Sequence, residues 1–329
     1  MKEISVYDIE GFNIGHEEDL AAATGCSVII CPKGGIAGVD VRGGAPGTRE
    51  TDLLDPVNLV QKIHSIVLAG GSAFGLDASS GVMKYLEERD IGFDVSVTKV
   101  PIVSSAVLFD LGIGSFKIRP DSSMGYNACL NSERKIKYKD GNIGAGAGAT
   151  IGKIAGAEYS MKGGLGTFAL QVGDLKIGSL TAVNCLGDVY ENGKIIGGAL
   201  SADKKSFIDT EKIMIEKYDS KKNLFSGNTT IGVVITNAKL NKSEAKKIAS
   251  MAHNGYGRAI RPAHTMFDGD TIFVISTCET DCDLSTLGSL ASKVIEKSVI
   301  NGVKNADSLC GFASYKELGT VLNIFKVSV

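Results

Sequence analysis

The chain reads as a loop-rich protein of the α/β or α+β class. Forty-one glycines and no tryptophan among 329 residues point to many turns. Short apolar runs rich in β-branched residues have the length of strands, and apolar stripes at helical spacing have the length of helices. At 43% hydrophobic content the chain buries a substantial core, as one large domain or two small ones.

Taken in order, residues 64–69 form an apolar run followed by Gly70-Gly71-Ser72. Residues 73–88 then read as a helix burying Leu76, Val82, Met83 and Leu86, a strand–glycine turn–helix unit. A second run begins near Leu175 and closes at Thr181-Ala-Val-Asn-Cys185. Residues 206–227 are polar and lysine-rich, which predicts an exposed, mobile connection. The run Ile231-Gly-Val-Val-Ile235 is the next strand. Ser243 is expected to cap a helix whose buried stripe is Ala245, Ile248, Ala249 and Ala252. Residues 271–276 predict a further strand, and a stripe of Leu287, Leu290, Ala291, Val294, Ile295 and Val299 predicts a helix from about Ser285 to Asn301.

Several function classes are disfavoured. A net charge of −2 with scattered basic residues offers no electrostatic footprint for nucleic acid or an anionic membrane. The first ten residues lack the apolar core of a signal peptide, and no run of 18 or more apolar residues predicts a membrane span. Seven scattered cysteines fit reduced thiols in a cytoplasmic protein. Cys278 and Cys282 have no second pair at similar spacing, so no metal site is predicted.

Four motifs carry chemistry. Gly227-Asn228-Thr229-Thr230 sets a hydroxyl residue at the first position of a buried strand. Cutting the Asn228–Thr229 bond would give Thr229 a free α-amine, whose reference pKa of about 7.7–8.0 suits it to take the proton of its own hydroxyl. The same residues also read as a turn entering a sheet. Gly144-Ala-Gly-Ala-Gly-Ala-Thr-Ile-Gly152 invites a nucleotide-dependent oxidoreductase, but its spacing does not fit G-x-G-x-x-G and Lys153 lacks the Ser or Thr of a phosphate loop. Those glycines equally allow close backbone packing, with Lys153 aimed inward. Asn184 ends an apolar run and could donate to an oxyanion, or simply cap a turn. Asp268 and Asp270, directly before a strand, could orient an ammonium or hydroxyl, or form an ordinary Asp-Gly-Asp turn. His253 and His264 lie close by, without the G-x-S-x-G elbow of a Ser-His-Asp hydrolase.

Together, Val41-Arg-Gly-Gly-Ala-Pro-Gly47, Leu68-Ala-Gly-Gly-Ser-Ala-Phe-Gly-Leu-Asp77, Pro101-Ile-Val-Ser-Ser-Ala-Val-Leu-Phe-Asp110, residues 144–153, residues 227–230 and residues 264–270 resemble one family in the same order. It is the L-aminopeptidase/D-esterase group of N-terminal nucleophile hydrolases, with its β-peptidyl aminopeptidases and nylon-oligomer hydrolase. The resemblance implies an α+β fold of four α/β/β/α layers, and a single domain over residues 1–329 that cuts itself into 1–228 and 229–329. It also implies a homo-oligomer, a tetramer of processed heterodimers, that hydrolyses short peptides or small amides without a cofactor. By position it assigns Thr229 as nucleophile, Asn184 to the oxyanion site, Lys153 as active-site lysine and Asp268 with Asp270 as the acidic pair. These positions resemble the nylon-hydrolase branch, whereas Lys162-Gly-Gly-Leu-Gly-Thr167 resembles the aminopeptidase branch, leaving the substrate open. A non-catalytic oligomer of the same fold is the other expectation that the sequence leaves standing.

Overall fold

A computed structural model describes residues 1–218 and 227–322, so the polar connection expected over residues 206–227 lies partly outside the described residues. The principal strands are β1 (Lys2–Ile4), β2 (Asn13–Asp19), β3 (Thr24–Val41), β4 (Thr48–Arg49), β5 (Lys62–Ala69), β6 (Val103–Val107), β7 (Gly164–Val172), β8 (Leu175–Asn184), β9 (Thr229–Ala238) and β10 (Thr271–Thr280). The principal helices are α1 (Ala78–Glu87), α2 (Ser122–Glu133), α3 (Lys242–Ala259) and α4 (Leu284–Asn305).

The strands hydrogen-bond in the order β1-β7-β8-β9-β10-β3-β5-β6-β4, with β2 also on β3. Strand β3 serves two halves of this sheet. Its C-terminal part pairs with β10, its N-terminal part with β2 and β5, and its register against β5 slips between Ile30 and Gly35. The halves stack face to face, because one buried cluster takes Ile29, Ile66 and Leu68 from one half and Leu180, Ile231, Val233 and Phe273 from the other.

Alternation along the strands then builds two outer cores. Val67 and Ala69 face the opposite way from Ile66 and Leu68, onto Val82 and Leu86 of α1 and Ala128 of α2. Val234, Ile272 and Val274 pack on Ala245, Ile248 and Ala252 of α3 and Ala291, Val294 and Ile295 of α4. Three cores separate four layers, helix, sheet, sheet, helix, and each fully buried Val, Leu or Ile contributes roughly 1.5–3 kcal/mol.

Local signals shift some expected boundaries. Residues 72–77 form a 3-10 turn and α1 starts at Ala78. The cap of α3 is Asn241 instead of Ser243: Asn241 Oδ1 accepts from Glu244 N while Glu244 Oε2 accepts from Asn241 N, a reciprocal pair that a serine two residues later cannot make. Asp283 caps α4, which extends one turn past Asn301.

Candidate active site

Register brings the site together. Antiparallel pairing of β8 with β9 sets the last residue of one, Asn184, opposite the first residue of the other, Thr229. Parallel pairing of β9 with β10 sets Ile231 beside Thr271, so the Asp268-Gly269-Asp270 turn entering β10 lies along residues 228–230. Lys153 arrives from the turn after the short strand Thr150–Ile151. All five residues singled out in the sequence thus converge, and each is at least nine-tenths buried.

The Thr229 hydroxyl donates to the carbonyl oxygen of Asn228, the residue before it, and accepts from Gly269 N–H at 3.0 Å. Gly269 N–H also reaches Asn228 O at 3.3 Å, so one backbone donor addresses both the hydroxyl and the carbonyl beside it. A side chain at position 269 would not fit, since a Cβ there would stand 2.7 Å from Thr229 Oγ1 and 2.8 Å from Ala45 O.

Lys153 Nζ donates to Asn184 Oδ1 at 2.7 Å, to Asn184 O at 3.1 Å and to Gly227 O at 3.1 Å, which occupies all three of its hydrogens. Asn184 Oδ1 also accepts from Thr150 N, while its amide Nδ2 donates to Phe109 O at 2.9 Å. In this uncut arrangement the Asn228 carbonyl accepts from Gly269 N–H at 3.3 Å. Asp270 accepts from Thr230 N at 2.8 Å and, through its other oxygen, from His264 N at 2.9 Å; His264 Nδ1 lies 2.9 Å from that same oxygen. Asp268 accepts from the Thr265 backbone and hydroxyl and from Leu186 N. Asp270 thus fixes the backbone just after Thr229, and Asp268 fixes the turn at Thr265 and the backbone at Leu186.

Burial governs the charges. It pulls Lys153 down to about 7, against Cys185, Asp268 and Asp110, which hold it up. Burial and then the charge of Asp270 push Asp268 up to about 6, and burial does the same to Asp110 in spite of its bonds from Gly71 N and Thr24 Oγ1.

Two participants carried little signal in the sequence. One is the Gly269 N–H, a backbone group flanked by the two aspartates that draw the eye. The other is Lys162, fully buried, whose ammonium donates at 2.9–3.0 Å to the carbonyls of Gly146, Ala149 and Gly163. It braces the glycine segment leading to Thr150 and Lys153, and the sequence marks it only as the first residue of Lys162-Gly-Gly-Leu-Gly-Thr167, with no role of its own. The glycines themselves pack on backbone: a Cβ on Gly146 would lie 2.0 Å from Leu165 N, and one on Gly148 would lie 2.0 Å from Ala23 O. Three successive N–H groups are taken, Gly144 N by Glu18, Ala145 N by Ser27 Oγ and Gly146 N by Ile143 O, so these three are not offered to a phosphate.

Lys162 should be visible in stability against pH. Burial lowers it from 10.5 to about 7 in the folded chain. Below pH 7 both states hold the proton; above it the folded state loses the proton first, so the unfolded state binds more protons and stability rises with pH. Between pH 7 and 9 the wild type is expected to gain unfolding temperature relative to Lys162→Met. Parallel thermal-unfolding profiles would contradict the assignment.

Against known proteins, a family model described as peptidase family S58 matches residues 5–316. The chain is 35% identical to an uncharacterized aminopeptidase of Mycobacterium leprae, over 94% of this chain and 93% of that protein. It is 29% identical to the 6-aminohexanoate-oligomer endohydrolase of Kocuria sp., over 92% of this chain and 87% of that protein. In shape it is similar to an l-aminopeptidase d-ala-esterase/amidase from Ochrobactrum anthropi, described as a new variant among the Ntn hydrolase fold, with TM-score 0.71 at 18% identity over 98% of this chain and 94% of that one.

Proposed function

Because the chain belongs to peptidase family S58 and is therefore a hydrolase, folded as a variant of the Ntn hydrolase architecture, we propose that it acts on amide bonds through Thr229 after cutting itself between Asn228 and Thr229. The observation that carries this reading is the seat of the Thr229 hydroxyl, hydrogen-bonded to the very carbonyl it would attack and backed by Gly269 N–H.

In the first stage Thr229 Oγ adds to the carbonyl carbon of Asn228. Charge gathers on Asn228 O, where Gly269 N–H lies, and a preorganised donor of this kind is worth about 3–4 kcal/mol. The C–N bond breaks, the acyl group moves from nitrogen to oxygen, and water hydrolyses the ester to leave chains 1–228 and 229–329. In the second stage the new α-amine of Thr229 takes the proton of its own hydroxyl, which attacks a substrate amide to form an acyl-enzyme. Once residues 227–228 end in a free carboxylate, the Lys153 hydrogen bonded to Gly227 O is no longer committed by the chain's continuity, and Lys153 with Asn184 can serve the substrate oxyanion. Asp270 holds Thr230 N, so the new amino end stays in register.

The substrate in this reading is a short peptide or other small amide, in keeping with relatives described as an aminopeptidase and an oligomer endohydrolase. The processed pairs would assemble as a homo-oligomer. Acid quenching during turnover of alanine p-nitroanilide is expected to leave an alanyl adduct on the peptide that begins Thr229-Thr230. An adduct on any other residue, or release of nitroaniline with no adduct on repeated rapid quenches, refutes the assignment.

A further inference from the structure

We infer that a small cavity on the Lys153 side of the site supplies the water that releases the acyl group from Thr229, by an approach separate from the one the substrate uses. The inference rests on the acyl-enzyme reading above. Two cavities meet at Phe109, which lines both. One, of about 130 Å³, is bounded by Ala45, Val107, Gly227, Asn228, Thr229 and Phe267. The other, of about 60 Å³, is bounded by Lys153, Thr150, Asp110, Ser160 and the ring of Phe312.

Size divides their tasks. A water takes about 30 Å³ of liquid and needs two to four polar partners, so the smaller cavity suits one or two waters and is too small for an amino acid residue. Its polar lining residues Lys153, Thr150, Asp110 and Ser160 are themselves at most 7% exposed. Phe312 also borders an outer cavity of about 830 Å³, and Ala157 at the rim of the small one is exposed, so the small one opens to solvent away from the Thr229 pocket. The partition between the two inner cavities is Phe109 seated on Gly227, where a Cβ would stand 2.2 Å from the ring. Gly227 belongs to the segment that cleavage would free.

In the step itself the water oxygen bonds to the acyl carbonyl carbon and the bond from that carbon to Thr229 Oγ breaks. The water gives one proton to Lys153 Nζ, and Thr229 Oγ takes one back from the resulting ammonium, so ester and water become acid and hydroxyl. With burial holding Lys153 at about 7, part of the population near neutrality carries the lone pair this needs.

Two positions allow the cavity to be plugged without touching the nucleophile. A Cβ on Gly112 meets nothing within 4 Å, and Ala157 is exposed at the rim. The test uses alanine p-nitroanilide as acyl donor and leucinamide as a competing nucleophile too large for the small cavity. In Gly112→Leu and Ala157→Leu, nitroaniline release at saturating leucinamide should stay within about twofold of wild type, while the ratio of alanyl-leucinamide to free alanine rises about tenfold. Ala157→Ser, which leaves the space open, should keep the wild-type ratio. An unchanged ratio in both leucine variants, or equal loss of both products, overturns the inference alone. A wild type that forms no alanyl-leucinamide overturns the acyl-enzyme reading beneath it.

Discussion

Thr229→Ala is expected to accumulate as one unbroken 329-residue chain with no amidase activity. The substitution removes the hydroxyl that contacts Asn228 O and Gly269 N–H, and among the described residues no other hydroxyl or thiol is placed on that carbonyl. A loss on the order of 10⁶ in kcat is the scale seen when a hydrolase loses its nucleophile. The fold should survive, because position 229 begins a strand whose neighbours Thr230 and Ile231 keep their bonds to Asp270 and to β10. Thr229→Ser retains the hydroxyl and should still cut. Denaturing electrophoresis and nitroaniline release read both outcomes, and normal fragments from Thr229→Ala would remove this residue from the chemistry.

Lys153→Met carries the next largest effect. Methionine keeps the length of the stem and discards the ammonium, so Asn184 O, Asn184 Oδ1 and Gly227 O lose a shared donor. Thr150 N still holds Asn184 Oδ1, and the backbone pairing of Asn184 with Thr229 is untouched. What is lost is the tie between the oxyanion-site amide and the peptide before the cut. Self-cleavage is expected to slow by about 10²–10³, the range for removing one preorganised donor from such a site. Thermal stability below pH 7 should hold or rise, because a buried charge is gone. Lys153→Arg should not rescue cutting, since a planar fork cannot occupy the same 7% exposed position as a compact ammonium. Time courses of fragment appearance decide this, and cutting at the wild-type rate would contradict it.

What could be read in advance follows from which physical signals are local. Thr229 at the head of an apolar run and Asn184 at the end of another are visible as polar residues at the ends of apolar strands. That they face each other depends on the antiparallel register of β8 and β9, a long-range fact that no local pattern encodes. The Asp268 and Asp270 pair was visible as a pair, yet its division of labour was not, because the partners Thr230, Thr265 and His264 are set by the turn's backbone. Gly269 offered only a backbone N–H, which every residue but proline has. Helical stripes marked α3 and α4 well, but the cap of α3 moved to Asn241 because a reciprocal capping pair outweighs a lone serine. The four-layer stacking came from resemblance; its structural cause, one long strand shared between stacked halves, lies in β3, where the sequence shows mostly apolar residues interrupted by Pro32-Lys33-Gly34-Gly35.

The most direct measurement is the intact mass of the freshly purified, folded wild type under denaturing conditions, alongside its activity. Two species are expected, residues 1–228 and residues 229–329, the second beginning with an unblocked threonine. A single 329-residue species that hydrolyses amides would contradict this.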